Sequence, residues 1–143
     1  MWLDKESVKK IIPHRYPILL LDEAEILKPG KLIRGAFHIP ADMEIFQGHF
    51  PAYPVFPGAY TLESIGQAAG VLILSEDRFR GKLPIYYGSE RARLIKPVRP
   101  GDTLASRVTL VEENPHKNTV TFSGEGFVNG ETAAVSTFII ALR

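Results

Sequence analysis

Residues 58–76 read GAYTLESIGQAAGVLILSE, and this stretch decides the fold. Its apolar residues lie nearly all the way round a helix, a pattern typical of a buried helix. Its middle contains four small residues, Gly66, Ala68, Ala69 and Gly70. Because small side chains let a neighbouring element approach the helix axis, a sheet can pack closely here. We therefore predict one long buried helix, too short and too polar to span a bilayer.

Outside this helix the sequence reads mainly as strands joined by short turns. A first, short amphipathic helix is predicted from Asp4, its N-cap, to about Ile12. Asn129-Gly130 between two β-rich runs indicates a tight hairpin, and consecutive strands with short turns favour an antiparallel sheet. One sheet around one helix gives an α+β architecture, which we expect to form a single domain over residues 1–143. The predicted strands cover residues 18–27, 32–39, 83–93, 103–112, 119–128 and 131–142.

The composition excludes several classes of protein. The chain has 143 residues, of which 45% are hydrophobic and 23% charged, so disorder is not expected. With a net charge of +1, the whole molecule has no strong attraction to nucleic acid or membrane. No cysteine is present, which excludes disulfides and thiol nucleophiles. Because the first ten residues are too charged for a signal peptide, we expect a cytoplasmic protein.

Basic residues concentrate in one part of the chain. Residues 78–107 contain eight Lys or Arg and only two acids. Such a strip indicates an acidic partner or a phosphate-bearing ligand, and a solvated strand face explains it equally well.

Two polar residues interrupt the apolar helix one turn apart. Glu63 and Gln67 share one helix face. Because burial disfavours a charged carboxylate, we expect Glu63 to be partly protonated, as a general acid must be. His49, a base suited to neutral pH, lies upstream on a proline-stiffened loop. The helix end at Gly58 offers N–H groups to a thioester oxygen, so the order of these groups suits β-elimination.

Simpler interpretations of the same residues remain open at this level. A lone Glu on an apolar helix more often bonds to backbone or to an Arg, and a loop His more often bonds to backbone. Pro13-His14-Arg15-Tyr16-Pro17 is adequately explained as a rigid structural corner. The other histidines, His14, His38 and His116, lack the spacing typical of metal ligands, so no metal site is expected.

Several motifs in order along the chain resemble one known family. They are residues 13–17 (PHRYP) with 19–22 (LLLD), 46–51 (FQGHFP), 57–58 (PG), Glu63, 67–70 (QAAG), 96–98 (KPV) and 100–102 (PGD). The chain resembles the (3R)-hydroxyacyl-acyl-carrier-protein dehydratases of type II fatty acid synthesis, the FabZ type, which have the hot-dog fold.

The resemblance implies roles for individual residues. His49 and Glu63 match the catalytic pair, completed across a dimer interface. Gly58 matches the glycine whose N–H donates to the thioester carbonyl. Val55 matches the residue whose carbonyl orients the histidine. Gln67 matches a glutamine that lines the site. Phe50, Phe56 and Tyr60 are further candidate substrate-binding residues, although the family usually has an aliphatic residue at the position of Tyr60.

The resemblance also implies partners. The substrate is expected on the 4'-phosphopantetheine arm of acidic acyl carrier protein, with no cofactor. The subunits are expected to form homodimers and a trimer of dimers. The candidate contacts to the carrier protein are Arg91, Arg93, Lys96 and Arg99.

Two other functions stay open from the sequence. A hot-dog acyl thioesterase would hydrolyse the thioester, although no water-activating carboxylate is apparent near the N-terminal strands. A non-catalytic acyl-carrier-binding subunit would not need His49 and Glu63, and the presence of both argues against it.

Overall fold

The computed structural model describes all residues, 1–143, as one antiparallel sheet and two helices. The helices and strands are β1 (Trp2–Leu3), α1 (Lys5–Ile11), β2 (Glu23–Lys28), β3 (Leu32–His38), α2 (Gly58–Leu74), β4 (Pro84–Leu94), β5 (Thr103–Asn114), β6 (Thr119–Val128) and β7 (Glu131–Leu142). Two single 3₁₀ turns cover Glu44–Gln47 and Asp77–Phe79. The sheet order is β1-β2-β3-β5-β6-β7-β4, so β1 and β4 are its edges.

Helix α2 lies against the sheet and forms the main core with it. Its residues from Ser64 to Leu74 are all buried, as its apolar pattern predicted. Close approach depends on glycine on both sides of the contact. A Cβ at Gly66 would lie 3.1 Å from the Tyr86 ring, and a Cβ at Gly124 would lie 2.5 Å from Ile65. No helix in the structure is both long and apolar enough to cross a membrane.

A second, smaller core lies beside the beginning of α2. Phe56 is its centre, with ring centroids 6.1 Å from Phe37 and 6.5 Å from Phe46. Because Phe46 and Phe56 flank the loop that contains His49, burying both rings fixes the two ends of that loop. This core therefore packs the loop against the sheet.

The predicted boundaries agree with the structure at most elements. Asp4 caps α1 by accepting a hydrogen bond from the Ser7 amide at 2.9 Å. The hairpin at Asn129-Gly130 has φ of 52° and 76°, the positive values that its turn type needs. The short strand β1 and both 3₁₀ turns have no clear signal in the sequence.

The prediction of a strand over residues 18–27 is wrong in its first half. Strand β2 begins only at Glu23, because the preceding backbone bonds to side chains of α2. Gln67 accepts from the Leu20 amide at 2.8 Å and donates to the Ile18 carbonyl at 2.7 Å. Ser64 donates to the Leu20 carbonyl at 2.7 Å. These contacts replace the ladder that a strand would have needed.

The stacked rings in the main core give a direct test of this packing. Phe122 is fully buried, with its ring centroid 5.7 Å from that of Phe138. We expect Phe122→Ala to lower the free energy of unfolding by about 3–5 kcal/mol, because it removes buried area and leaves a cavity. Urea unfolding measures this. Val111→Ala, at a position 57% exposed, is the control and should change stability by no more than about 0.5 kcal/mol.

Candidate active site

The loop between β3 and α2 holds His49 in one orientation. The His49 amide donates to the Ile45 carbonyl at 3.0 Å, which adds an α-type turn at the end of the 3₁₀ turn. The ring nitrogen Nδ1 lies 2.8 Å from the Val55 carbonyl oxygen. Because a carbonyl can only accept, Nδ1 carries the proton and Nε2 presents its lone pair. His49 therefore presents the lone pair of Nε2, and its contact with the Val55 carbonyl holds the ring in this orientation.

Phe50 closes the turn next to this histidine. Its φ of 61° is unusual for a residue with a side chain, and its carbonyl accepts from the Tyr53 amide at 2.8 Å. The Phe50 ring is exposed and lies 4.3 Å from the His49 ring, centroid to centroid. The backbone amide of Phe56 then donates to the Val98 carbonyl at 2.6 Å and anchors the end of the loop.

Helix α2 begins directly beside His49. Pro57 precedes the first helical residue, Gly58, and no side chain caps this end. The first N–H groups are therefore free to meet an oxygen atom. His49 and Gly58 line the same cavity of about 280 Å³, the His49 cavity. Its other lining residues are Val55, Phe56, Thr61, Leu94, Ile95, Lys96, Pro97, Val98 and Ala133.

Glu63 lies one turn further along α2 and is only half-buried. Its side chain is 29% exposed, so it is less desolvated than the apolar helix pattern predicted. Its Oε2 accepts a hydrogen bond from Gln67 Nε2 at 2.8 Å. Gln67 is 1% exposed, and the bonds to Leu20 and Ile18 occupy its remaining amide atoms. Gln67 therefore fixes Glu63 from inside the protein.

His14 is the residue of this site that sequence reasoning missed. It follows α1, and its Nε2 lies 3.6 Å from Glu63 Oε2. Burial lowers the pKa of His14 below its ordinary 6.5; the Glu63 carboxyl raises it in part and the Arg15 guanidinium lowers it. The motif of residues 13–17 therefore also places an imidazole beside Glu63. The position of His14 between Pro13 and Pro17 was the sequence signal that could have indicated its fixed placement.

Glu63 and His49 do not share a cavity within one chain. Glu63 lines a separate cavity of about 230 Å³ with Ala59, Leu62, Tyr86 and Ser89, the Glu63 cavity. The two cavities have no lining residue in common. Gly58 faces one and Ala59 the other, so they lie on two sides of the first turn of α2.

Comparison with known proteins places the chain in a family. A family model described as a FabA-like domain matches residues 12–136. The chain belongs to the FabA-like family. Curated relatives of this FabA-like chain include the 3-hydroxyacyl-acyl-carrier-protein dehydratase FabZ of Clostridioides difficile, 36% identical over 98% of this chain and 97% of the relative. The FabZ of Clostridium acetobutylicum is 39% identical over 92% of this chain and 96% of the relative. The resemblance to the FabZ type is thereby confirmed.

Solved structures share the fold of this FabA-like chain at lower identity. The dehydratase heterocomplex ApeI:P from Xenorhabdus doucetiae has a TM-score of 0.75 and 19% identity, over 95% of this chain and 90% of that chain. The E. coli PaaI protein from the phenylacetic acid degradation operon has a TM-score of 0.61 and 16% identity, over 82% of each chain. These likenesses confirm the predicted α+β hot-dog fold.

The remaining predicted binding residues of this FabA-like chain are spread over its surface. Tyr60 packs edge-on against Phe56, with centroids 5.7 Å apart, and lines a groove that contains neither His49 nor Glu63. Lys96 lines the His49 cavity and pairs with Glu131. Arg99 donates to the Tyr53 hydroxyl at 2.7 Å and lies over its ring.

Arg91 and Arg93 are exposed two residues apart on β4. Their alternation puts both side chains on one face of the strand, as the sequence suggested. Neither forms an ion pair within the chain, so both charges are free to meet a partner.

The lowered pKa of His14 predicts a pH-dependent stability. Because the folded protein binds a proton at His14 less readily than the unfolded chain, this neutral imidazole contributes stability above pH 6.5 that is lost as the pH falls through the folded pKa. We expect His14→Gln to lose less stability than the wild type between pH 7.5 and 5.5. Urea midpoints at both pH values measure this, and His116→Gln, on an exposed turn, should behave like wild type.

Proposed function

We propose that this chain dehydrates (3R)-hydroxyacyl thioesters on acyl carrier protein to trans-2-enoyl thioesters, in fatty acid synthesis or a related lipid or polyketide pathway. The observation that carries the proposal is the His49 cavity, which is lined by an imidazole with a free Nε2 and by the uncapped end of α2. The names of its curated relatives support the substrate class. In this proposal residues 1–143 act as one dehydratase domain, in the cytoplasm, and the lack of cysteine favours that location.

The proposed reaction takes one proton from the α-carbon of the substrate and gives one proton to its β-hydroxyl. His49 Nε2 removes the α-proton while the Gly58 N–H stabilises the enolate-like thioester oxygen. The β-carbon–oxygen bond then breaks, and the departing hydroxyl takes the proton of Glu63 and leaves as water. The histidine ends as imidazolium and the glutamate as carboxylate. Transfer of the proton from one to the other resets the site, so the substrate loses one water and the protein is unchanged.

The separation of the two cavities supports a site made by two subunits. Strand β4 is a sheet edge with unpaired backbone groups. Several large apolar residues on or next to it are exposed, a pattern typical of a contact surface: Leu83, Ile85, Tyr87, Leu94 and Ile95. We therefore propose a homodimer in which two β4 strands pair, with three dimers forming a hexamer.

The register of such a pair would join the two halves of the site. Leu94 belongs to the His49 cavity, whereas Tyr86 and Ser89 belong to the Glu63 cavity. In an antiparallel pair related by a twofold axis, the end of one strand faces the beginning of the other. The His49 cavity of one subunit would then lie beside the partner's Glu63 cavity.

The basic residues near this edge suit an acidic carrier protein. Arg91 and Arg93 are exposed and unpaired, and Lys96 lies at the wall of the His49 cavity. Arg99, three residues after Lys96, is held against the Tyr53 side chain. The proposal assigns contact with the carrier and its phosphopantetheine arm to these four residues.

The catalytic pair is tested by removing each proton-transfer group. We expect His49→Ala and Glu63→Gln each to lower turnover by about 10²–10⁴-fold, the usual contribution of a general acid or base, while the oligomer persists. Hydration of a crotonyl thioester, followed at the enoyl absorbance, measures this. The exposed controls His116→Ala and Glu112→Gln should retain full activity. Release of free thiol would instead indicate a thioesterase. If no substrate of any acyl length were turned over, the chain would be a non-catalytic binding subunit.

Mixing the two inactive variants tests whether the site is shared. If each site takes His49 from one subunit and Glu63 from the other, a mixed dimer contains one intact site and one doubly defective site. Random mixing should then restore about one quarter of wild-type activity, since half of the dimers are mixed and each has one working site. If mixed dimers isolated through two different tags stayed inactive, the two residues would have to act within one subunit.

Charge reversal tests the carrier contact. We expect the double variant Arg91→Glu, Arg93→Glu to raise KM for carrier-bound substrate about tenfold, since each exposed ion pair contributes up to about 1 kcal/mol. The KM for a short thiol-linked substrate should change little. Lys28→Glu, Lys31→Glu is the matched control, because these residues flank Gly30 beside Glu76, beyond the far end of α2. Equal effects on both substrates would remove carrier docking as the role of the arginines.

A further inference from the structure

The contact between His14 and Glu63 has no role in the reaction described so far. The His14 side chain is 19% exposed, and its Nε2 is 3.6 Å from Glu63 Oε2. Its other ring nitrogen, Nδ1, is buried and has no hydrogen-bond partner. A buried polar atom without a partner is uncommon and calls for a reason.

The two nitrogens together decide which one carries the proton of the neutral ring. A proton on Nδ1 would bury an unpaired N–H group, which proteins rarely tolerate. A proton on Nε2 would instead point toward the carboxyl oxygen of Glu63. The distance is longer than a hydrogen bond, and an approach of about 0.5 Å would make it one. The geometry therefore favours the ring with its proton on Nε2.

We propose that His14 is a positioning residue for Glu63: its neutral Nε2–H holds Oε2 and leaves the transferable proton on Oε1. This inference rests on the proposed role of Glu63 as the general acid. Oε2 already accepts from Gln67 Nε2 at 2.8 Å, whereas Oε1 has no hydrogen-bond partner within the chain. Two N–H groups on one oxygen direct the acidic proton to the other, which is free to meet the leaving hydroxyl.

The neutral state of His14 is essential to this role. His14 and Glu63 together can hold one proton in two arrangements, either as imidazole with carboxylic acid or as imidazolium with carboxylate. Only the first contains a general acid, and the balance between them does not depend on pH. Two charged groups act on His14, Glu63 from α2 and Arg15 from the chain beside it. Burial and the Arg15 charge both disfavour imidazolium, so they favour the arrangement with a neutral His14 ring.

The same N–H group assists the step itself. When Glu63 gives up its proton it becomes a carboxylate, and hydrogen bonds to a charged group are stronger than those to a neutral one. Donors from His14 and Gln67 therefore stabilise the product of proton transfer more than its starting state. A charged donor would stabilise the carboxylate before the reaction and remove the acid.

Two substitutions of His14 separate this role from a structural one. The Nε2 of Gln occupies nearly the same place as the Nε2 of His, so His14→Gln keeps a neutral donor, whereas His14→Leu removes it. We expect His14→Leu to lower kcat about tenfold with little change in KM, and His14→Gln to stay within about threefold of wild type. The alkaline limb of kcat against pH should move to higher pH in the Leu variant alone. Equal losses in both variants, or an unmoved limb, would overturn the inference.

A spectroscopic measurement tests the contact without activity. In protein containing ¹⁵N-labelled histidine, we expect His14 to be neutral at pH 7 with its proton on Nε2. Because the Glu63 carboxyl raises the pKa of His14, Glu63→Gln should lower that pKa further. A proton on Nδ1, or a titration unaffected by Glu63→Gln, would contradict the proposal even in folded protein.

Different results would reject the acid role of Glu63 and the positioning role of His14. If Glu63→Gln retained near-normal turnover, the proposed function of Glu63 would be wrong. If Glu63→Gln were inactive and His14→Leu kept both its rate and its pH profile, the elimination chemistry would stand and only the role of His14 would be rejected.

Discussion

The amide of Gln67 connects the fold to its chemistry. Its oxygen accepts from the Leu20 amide, and its nitrogen donates to the Ile18 carbonyl and to Glu63 Oε2. Because Gln67 is only 1% exposed, leaving any of these hydrogen-bonding groups unpaired would cost about 1–3 kcal/mol. One side chain thus holds the segment leading into β2 against α2 and directs the proposed acid. A change at this amide would disturb both together.

Both proposed proton-transfer groups are held by neutral partners. Val55 orients His49 through a backbone carbonyl, and Gln67 orients Glu63 through an amide. Neither has a permanently charged side chain within ion-pair distance. This matters because each group must change its charge during elimination, and a fixed counter-ion would favour one charge state throughout. Neutral donors and acceptors orient the His49 and Glu63 side chains and leave their protonation states free to change.

The sequence predicted the parts of the fold that local signals encode, and it was wrong where side chains replace the backbone ladder. The start of α2 at Gly58 and the turn at Asn129-Gly130 follow from local chemistry. The irregular segment before β2 depends on Gln67, 47 residues beyond Leu20, and no local pattern shows such a contact. The contact of His14 with Glu63 joins two distant motifs in the same way. A two-cavity site also could not be predicted from spacing, since Gly58 and Ala59 are neighbours facing different cavities.

In the proposed dimer, the edge strand β4 would explain why the His49 cavity and the Glu63 cavity are separate within one chain. It contributes Leu94 to the His49 cavity and Tyr86 to the Glu63 cavity, at opposite ends of one strand. A strand with a free edge and exposed apolar side chains is costly to leave in water. In the proposed dimer, pairing two copies of β4 would bury that surface and bring unlike ends together in one step. The same interaction would then provide stability and complete the site, so the chemistry would depend on assembly.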